Sequence, residues 1–288
     1  MGLLVAGFNP NAQASNFTNG DFTTYTQADW GDDSLMDVAA VLLQDNYNTV
    51  YEATGGVLEV GIHGTGGFSI EFTDSSDVLA YLPAVGTAGP LTSDSLNPST
   101  TASQSFGGEA VTLQLNVDFS DAGLIPGNVD IPFGDLELQN FSGGQLSPLN
   151  GLTVRQFATG MNNLLGGGIF FIFKHNFTYH TADIAALVSV VQNINGSFFD
   201  GYVQTFATNN LAIPPISLVI QSVTQSGSSL FVTWNSIPNQ RYQVQFASSL
   251  NSTNWISLGG IITATNTIMT ASDTVTNAQM FFRIELLP

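Results

Sequence analysis

The chain contains no cysteine, and its first 154 residues contain neither lysine nor arginine. Without thiols there is no disulfide framework and no thiolate metal site. Without clustered cations there is no surface for nucleic-acid phosphates and no polybasic contact with a membrane. No apolar run reaches the length of a bilayer span, so membrane insertion is not expected. Charged residues of both signs make up only 9% of the 288 residues. The wettable surface is therefore left to Ser, Thr, Asn, Gln and Gly.

What charge there is falls on one side. Eighteen carboxylates lie in residues 1–154, whereas Arg155, Lys174, Arg241 and Arg283 balance Asp183, Asp200, Asp273 and Glu285 in the remainder. The formal charge of −18 thus belongs to the first segment alone. This balance suits a solvent-exposed extracellular protein that recruits divalent cations. A hydrophobic content of 43% supports a packed core and argues against disorder. The length has room for one large or two ordinary domains. Near the start, Ala12-Gln13-Ala14 before Ser15 follows the apolar Leu3–Phe8 and matches the small-x-small pattern cut by signal peptidase. Residues 1–14 read as the remainder of an export signal, and the protein as secreted or displayed at the cell surface.

Along residues 15–210 the patterns alternate between helix and strand. Leu35, Val38, Ala39, Leu42 and Leu43 recur at helical spacing behind Asp33 or Ser34 as N-cap. Val57–Ile62 and Phe68–Phe72 flank the loop His63–Gly67 as a hairpin. Asp74 caps a short helix that Pro83 ends, and residues 84–108 read as a long loop. Val111, Leu113, Leu115, Val117 and Phe119 alternate with polar residues as in a strand, although a helix through Ala110, Leu113 and Val117 stays open. Thr153 and Gln156 form a capping box for a helix ending near Gly166, taken as its left-handed residue, and Thr181 starts another that ends near Gly196. Residues 211–217, with Pro214-Pro215, read as a linker. Residues 218–288 read as a run of short strands: 230–234, 242–246, 255–258, 261–269 and 280–286.

Val232-Thr233-Trp234, Arg241–Phe246, Leu250–Trp255 and Phe281–Ile284 resemble, in order and spacing, the fibronectin type III-like C-terminal module of secreted proteins from Verrucomicrobia-type bacteria. The resemblance covers residues 218–288 and implies a spacer or surface-retention unit without catalysis. Thr24–Gln27 before Trp30-Gly31, Leu115–Gly123 and Leu149–Val154 resemble a module of uncharacterised bacterial surface proteins, which implies a setting but no activity. That module's usual pattern has a more Ala-rich helix near 109–119. The fold expected is an α+β N-terminal domain followed by an all-β fibronectin type III-like sandwich.

For chemistry, Asp29, Asp32, Asp33 and Asp37 at a loop-to-helix junction are the candidate calcium ligands, against the alternative of helix capping and solvated charge. Asp118, Asp121, Asp130, Asp135 and Glu137 form a second acidic stretch. The imidazoles His63, His175 and His180 follow no metal-ligand motif. No G-x-S-x-G elbow is present, and nothing in the spacing selects Glu71 or Glu109 as half of a glycosidase pair. A Ser–His–Asp set through His63 is open to geometry alone. Tyr25, Trp30, Tyr47 and Tyr51 are read as core anchors in preference to a sugar-stacking face. The function expected is that of a non-enzymatic structural or adhesion protein, with surface glycans, other extracellular proteins or its own copies as partners. The alternatives are a secreted glycan- or ester-directed hydrolase and a carbohydrate-binding module.

Overall fold

The computed structural model describes residues 17–32, 34, 36–129, 131–214, 218–236, 240–249, 254–274 and 280–287. The expected export remnant, 1–14, lies outside them. The chain divides after Pro214 into two compact units.

The first unit runs through α1 (Gln27–Trp30), α2 (Val38–Val50), β1 (Leu58–Gly61), β2 (Ser69–Phe72), α3 (Ser75–Tyr81), β3 (Ser95–Leu96), α4 (Ser105–Asp121), β4 (Glu137–Leu138), α5 (Val154–Leu165), β5 (Phe170–Ile172), β6 (Phe177–Tyr179), α6 (Ile184–Asn195), α7 (Thr205–Asn210) and β7 (Leu211–Ala212). The expected hairpin forms, with Leu58 opposite Phe72 and Val60 opposite Ile70, and β3 adds to it in parallel. β7 pairs with β4, so the head of the expected linker is built into this unit.

The central element corrects the strand reading of 111–119. That segment lies within α4, a helix buried on nearly every side and packed against α1, α5 and α6. A helix enclosed all round has no polar stripe and therefore shows no 3.6-residue signal. Its polar residues face partners instead of water, and that produced the false alternation. The loop reading of 84–108 also ends early, because α4 starts at Ser105.

Other starts and ends shift by physical detail. α2 begins at Val38 with Asp37 as N-cap, its Oδ1 accepting the Ala39 N–H at 3.0 Å. The earlier start behind Asp33 or Ser34 is not used, and Val38 is exposed. The α5 capping box forms in both directions, at 3.1 and 3.0 Å. Its left-handed residue is Gly167 (φ +86°), whereas Gly166 keeps an ordinary φ of −73°. Tyr25, Trp30, Tyr47 and Tyr51 are all buried, as core anchors.

Residues 19–24 are tied to residues 198–203. Gly20 N–H donates to Gly201 O (2.8 Å), Thr24 N–H to Phe198 O (3.0 Å), and Val203 N–H to Asn19 Oδ1 (3.0 Å). Phe17 and Phe22 pack on Phe198, each with ring centroids 5.0 Å away.

The second unit is all antiparallel strand: β8 (Ile220–Ser226), β9 (Ser229–Asn235), β10 (Arg241–Ala247), β11 (Ile256–Ser257), β12 (Ile262–Thr263), β13 (Ile268–Thr274) and β14 (Phe281–Leu287). β13-β9-β8 form one sheet, and β10 with β11, β12 and β14 forms the other. Leu230, Val232 and Trp234 from the first sheet and Tyr242, Val244, Phe282 and Ile284 from the second share one core. The single strand expected over 261–269 is two: β12 joins one sheet and β13 the other. β8, paired with β9, was not expected.

Candidate functional site

The acidic turn is used first by its own backbone. Asp32 Oδ1 accepts from the Ser34 N–H (3.1 Å) and hydroxyl (2.5 Å), and Oδ2 from the N–H groups of Met36 (3.1 Å) and Asp37 (2.9 Å). The Ser34 hydroxyl leads these bonds in holding the Asp32 carboxyl below its ordinary range. Asp29 Oδ2 accepts from the Thr26 N–H (2.6 Å) and hydroxyl (2.7 Å). Burial raises Asp37, with Asp29 and Asp200 adding to the rise. Burial together with Asp200, Asp37 and Asp29 pushes Tyr25 up to about 12. Of the four candidate ligands, Asp29 bears on Asp37 through its charge. Asp32 faces its own loop, and Asp33 lies outside the described residues.

The second acidic stretch also divides. Arg155 donates to both oxygens of Asp121 (2.6 and 2.9 Å) and to Asp135 (3.2 Å). Asp118 instead receives Gln114 (2.8 Å) and the Tyr51 hydroxyl (3.1 Å), and burial pushes its carboxyl up to about 6. Glu137 enters β4, and Asp130 lies outside the described residues.

A buried polar network runs along α4. Asn116 Oδ1 accepts from the Tyr25 N–H (2.9 Å) and Trp30 Nε1 (3.2 Å), while its Nδ2 donates to Tyr25 O (2.9 Å) and Asn195 Oδ1 (3.3 Å). Asn195 Nδ2 donates to Glu109 Oε2 (2.8 Å), and Gln27 Nε2 to Glu109 Oε1 (2.6 Å). Burial raises the Glu109 carboxyl. Gly108 lets Gln27 lie against the helix, since a Cβ there would strike Gln27 Oε1. With its hydrogen-bonding capacity spent inside the protein, this network holds elements together.

The imidazoles are dispersed. His175 Nε2 lies 3.0 Å from Asn150 O, and at His180 it is the backbone N–H, not the ring, that donates to Asp183 Oδ2 (2.8 Å). His63 lies against Glu59 and Glu71, not against a serine. Those three form the one group of possible metal ligands among the described residues, with donor atoms within 4.8 Å of one another.

A groove of about 410 Å³ lies between α5 and β5. Gln156, Thr159 and Asn163 come from the helix, Phe170, Phe171, Phe173 and Lys174 from the strand and the turn after it. Gly160 allows the close approach, since a Cβ would meet the Phe170 ring at 2.5 Å. Phe171 and Phe173 stand edge to face at 4.7 Å, and Phe173 is 88% exposed. No carboxylate is among the lining residues. Arg155 is held by Asp121 and Asp135, while Lys174 of the same unit stands at the groove.

Comparison with protein-family models, with curated proteins and with solved structures yields no match.

Sequence reasoning missed the groove. Its signal was the run Phe170-Phe171-Ile172-Phe173-Lys174, too apolar for a strand with one wet face. It also missed that Glu59 and Glu71 lie opposite each other, although the alternation of Leu58, Val60, Ile70 and Phe72 implied it.

Proposed function

We propose that the protein is a secreted, non-enzymatic surface or extracellular-matrix protein, that its first unit adheres to surface glycans through the α5–β5 groove, and that its second unit is a fibronectin type III-like spacer. The observation that carries this reading is the chemistry of the groove. Aromatic rings form its apolar wall, amides and an ammonium lie among them, and no carboxylate lines it. Sugar rings present C–H faces that stack on such rings and hydroxyls that amides bond. Glycoside hydrolysis instead needs two carboxyl groups across the scissile bond. Glu109 is already bonded to Gln27 and Asn195, and Glu71 faces Glu59 and His63. Among the described residues, seven strands in two antiparallel sheets around one core support the spacer assignment. Calcium at the acidic turn belongs to the same proposal, with Asp29 and Asp37 as its carboxylates, Asp29 adding to the rise of Asp37.

The test is calorimetric titration of soluble cell-surface polysaccharides into the full chain and into Phe173→Ala and Phe171→Ala. The expected result is binding by the unaltered protein, weakened about tenfold in each variant, an energy of about 1.4 kcal/mol, with the melting temperature unchanged. Cleavage of the polysaccharide, or equal binding by all three proteins, would overturn the reading.

A further inference from the structure

We propose that Glu59, His63 and Glu71 form a site for a divalent cation of the zinc class on the solvent face of the β1–β2 hairpin, independent of the groove and of the acidic turn. Glu59 and Glu71 are direct partners in the antiparallel register, on the face opposite the buried Leu58, Val60, Ile70 and Phe72. Like charges directly opposite each other destabilise a strand pair. The first 154 residues hold no Lys or Arg to relieve them, and Arg155 is committed to Asp121 and Asp135.

The one nitrogen base at this place is His63. Its Nδ1 lies 2.8 Å from Glu59 Oε1 and 3.7 Å from Glu71 Oε1. A tetrahedral zinc ion with bonds of about 2.0–2.2 Å sets its ligand atoms about 3.3 Å apart, and the two distances bracket that value. Both carboxylates are about one-third exposed and the imidazole is 76% exposed, so further positions on the ion are open to water. The chemistry of the donors selects the metal. Calcium takes six to eight oxygen ligands, whereas one imidazole with two carboxylates suits zinc and its neighbours in the transition series.

The test is titration of metal-stripped full chain with Zn²⁺ at physiological ionic strength. One binding event is expected above the diffuse attraction of so acidic a protein. His63→Ala and Glu71→Gln should each weaken it at least about tenfold, while His175→Ala and His180→Ala leave it unchanged. Because His63 is exposed, its removal should leave the thermal melt of the metal-free protein in place, which circular dichroism checks. Equal Zn²⁺ affinity in His63→Ala, or displacement of Zn²⁺ by an equal concentration of Ca²⁺ or Mg²⁺, would overturn the proposal.

Discussion

The two units use polar residues in opposite ways. In the second, charges cancel (Arg241 and Arg283 against Asp273 and Glu285), and the β9 residues Leu230, Val232 and Trp234 point inward while those between them do not. In the first, the net charge is −18, yet Asn116, Asn195 and Glu109 are buried and bonded to one another and to the backbone. A polar side chain marks the surface only where the core can be built from apolar groups alone. Where a core is pinned by amides, polarity in the sequence says nothing about exposure.

The sharpest way to break this contrast is to cut the network. Asn116→Ala leaves the Tyr25 N–H and C=O and the Trp30 N–H without their partner. At about 1–3 kcal/mol for each unsatisfied buried group, the first unit should lose about 3–5 kcal/mol in urea denaturation. The matched change in the second unit, Gln245→Ala, removes a largely solvent-facing bridge between Arg283 and Glu285 and should cost under about 0.5 kcal/mol. Comparable losses at the two sites would erase the distinction.

Next in size is a pH effect confined to the first unit. Asp118 titrates near 6 in the fold and near 3.8 without it. Below the lower value both states are protonated. Between the two values only the folded state keeps the proton, so stability falls as pH rises, by up to about 3 kcal/mol in all at 1.36 kcal/mol per unit. Asp118→Asn should flatten that slope between pH 4 and about 6. An unchanged slope in the variant would place its origin elsewhere.

Gly108→Ala should follow at about 1–3 kcal/mol, because the added methyl displaces Gln27 from Glu109. Its counterpart in the second unit, Gly260→Ala, meets open space and should be close to neutral in the same denaturation experiment.

The smallest effect is that of salt. The first unit holds 20 acidic residues against Arg155 and Lys174, from 18 in residues 1–154 plus Asp183 and Asp200. Screening should therefore raise its melting temperature by a few degrees, with the neutral second unit barely moved. At matched ionic strength Ca²⁺ should exceed NaCl, and Asp29→Asn with Asp37→Asn should reduce the excess. Identical curves for the two salts would exclude calcium from the acidic turn.

The same contrast explains how much was legible. The hairpin, α3, α5 and α6 each carry an apolar face over a wet one, and α3 and α5 a capping side chain, so residue type and spacing identify them, although α6 begins at Ile184 after a 3-10 turn at the expected start Thr181. Most strands of the second unit follow alternation for the same reason; β8, with no alternating burial, does not, and 261–269 leaves one sheet for the other, a change no periodicity records. α4 was hidden because Thr112 and Asn116 are as buried as the leucines between them. At the candidate sites, chemistry was legible one residue at a time while adjacency was not. The meeting of Glu59 with Glu71 needed the register, and the groove needed α5 placed against β5.

The pairing of residues 19–24 with 198–203 bears on the order in which this protein can be completed. Residues 19–24 depend on hydrogen bonds to a segment synthesised about 175 residues later. Closing so long a loop is entropically costly and slow relative to local helix formation. Until Phe198 has emerged, Thr24 and the ring of Phe22 lack their partner, and until Asn195 has emerged, Asn116 and Glu109 of α4 lack theirs. The first unit is therefore expected to close late, when its two distant segments meet.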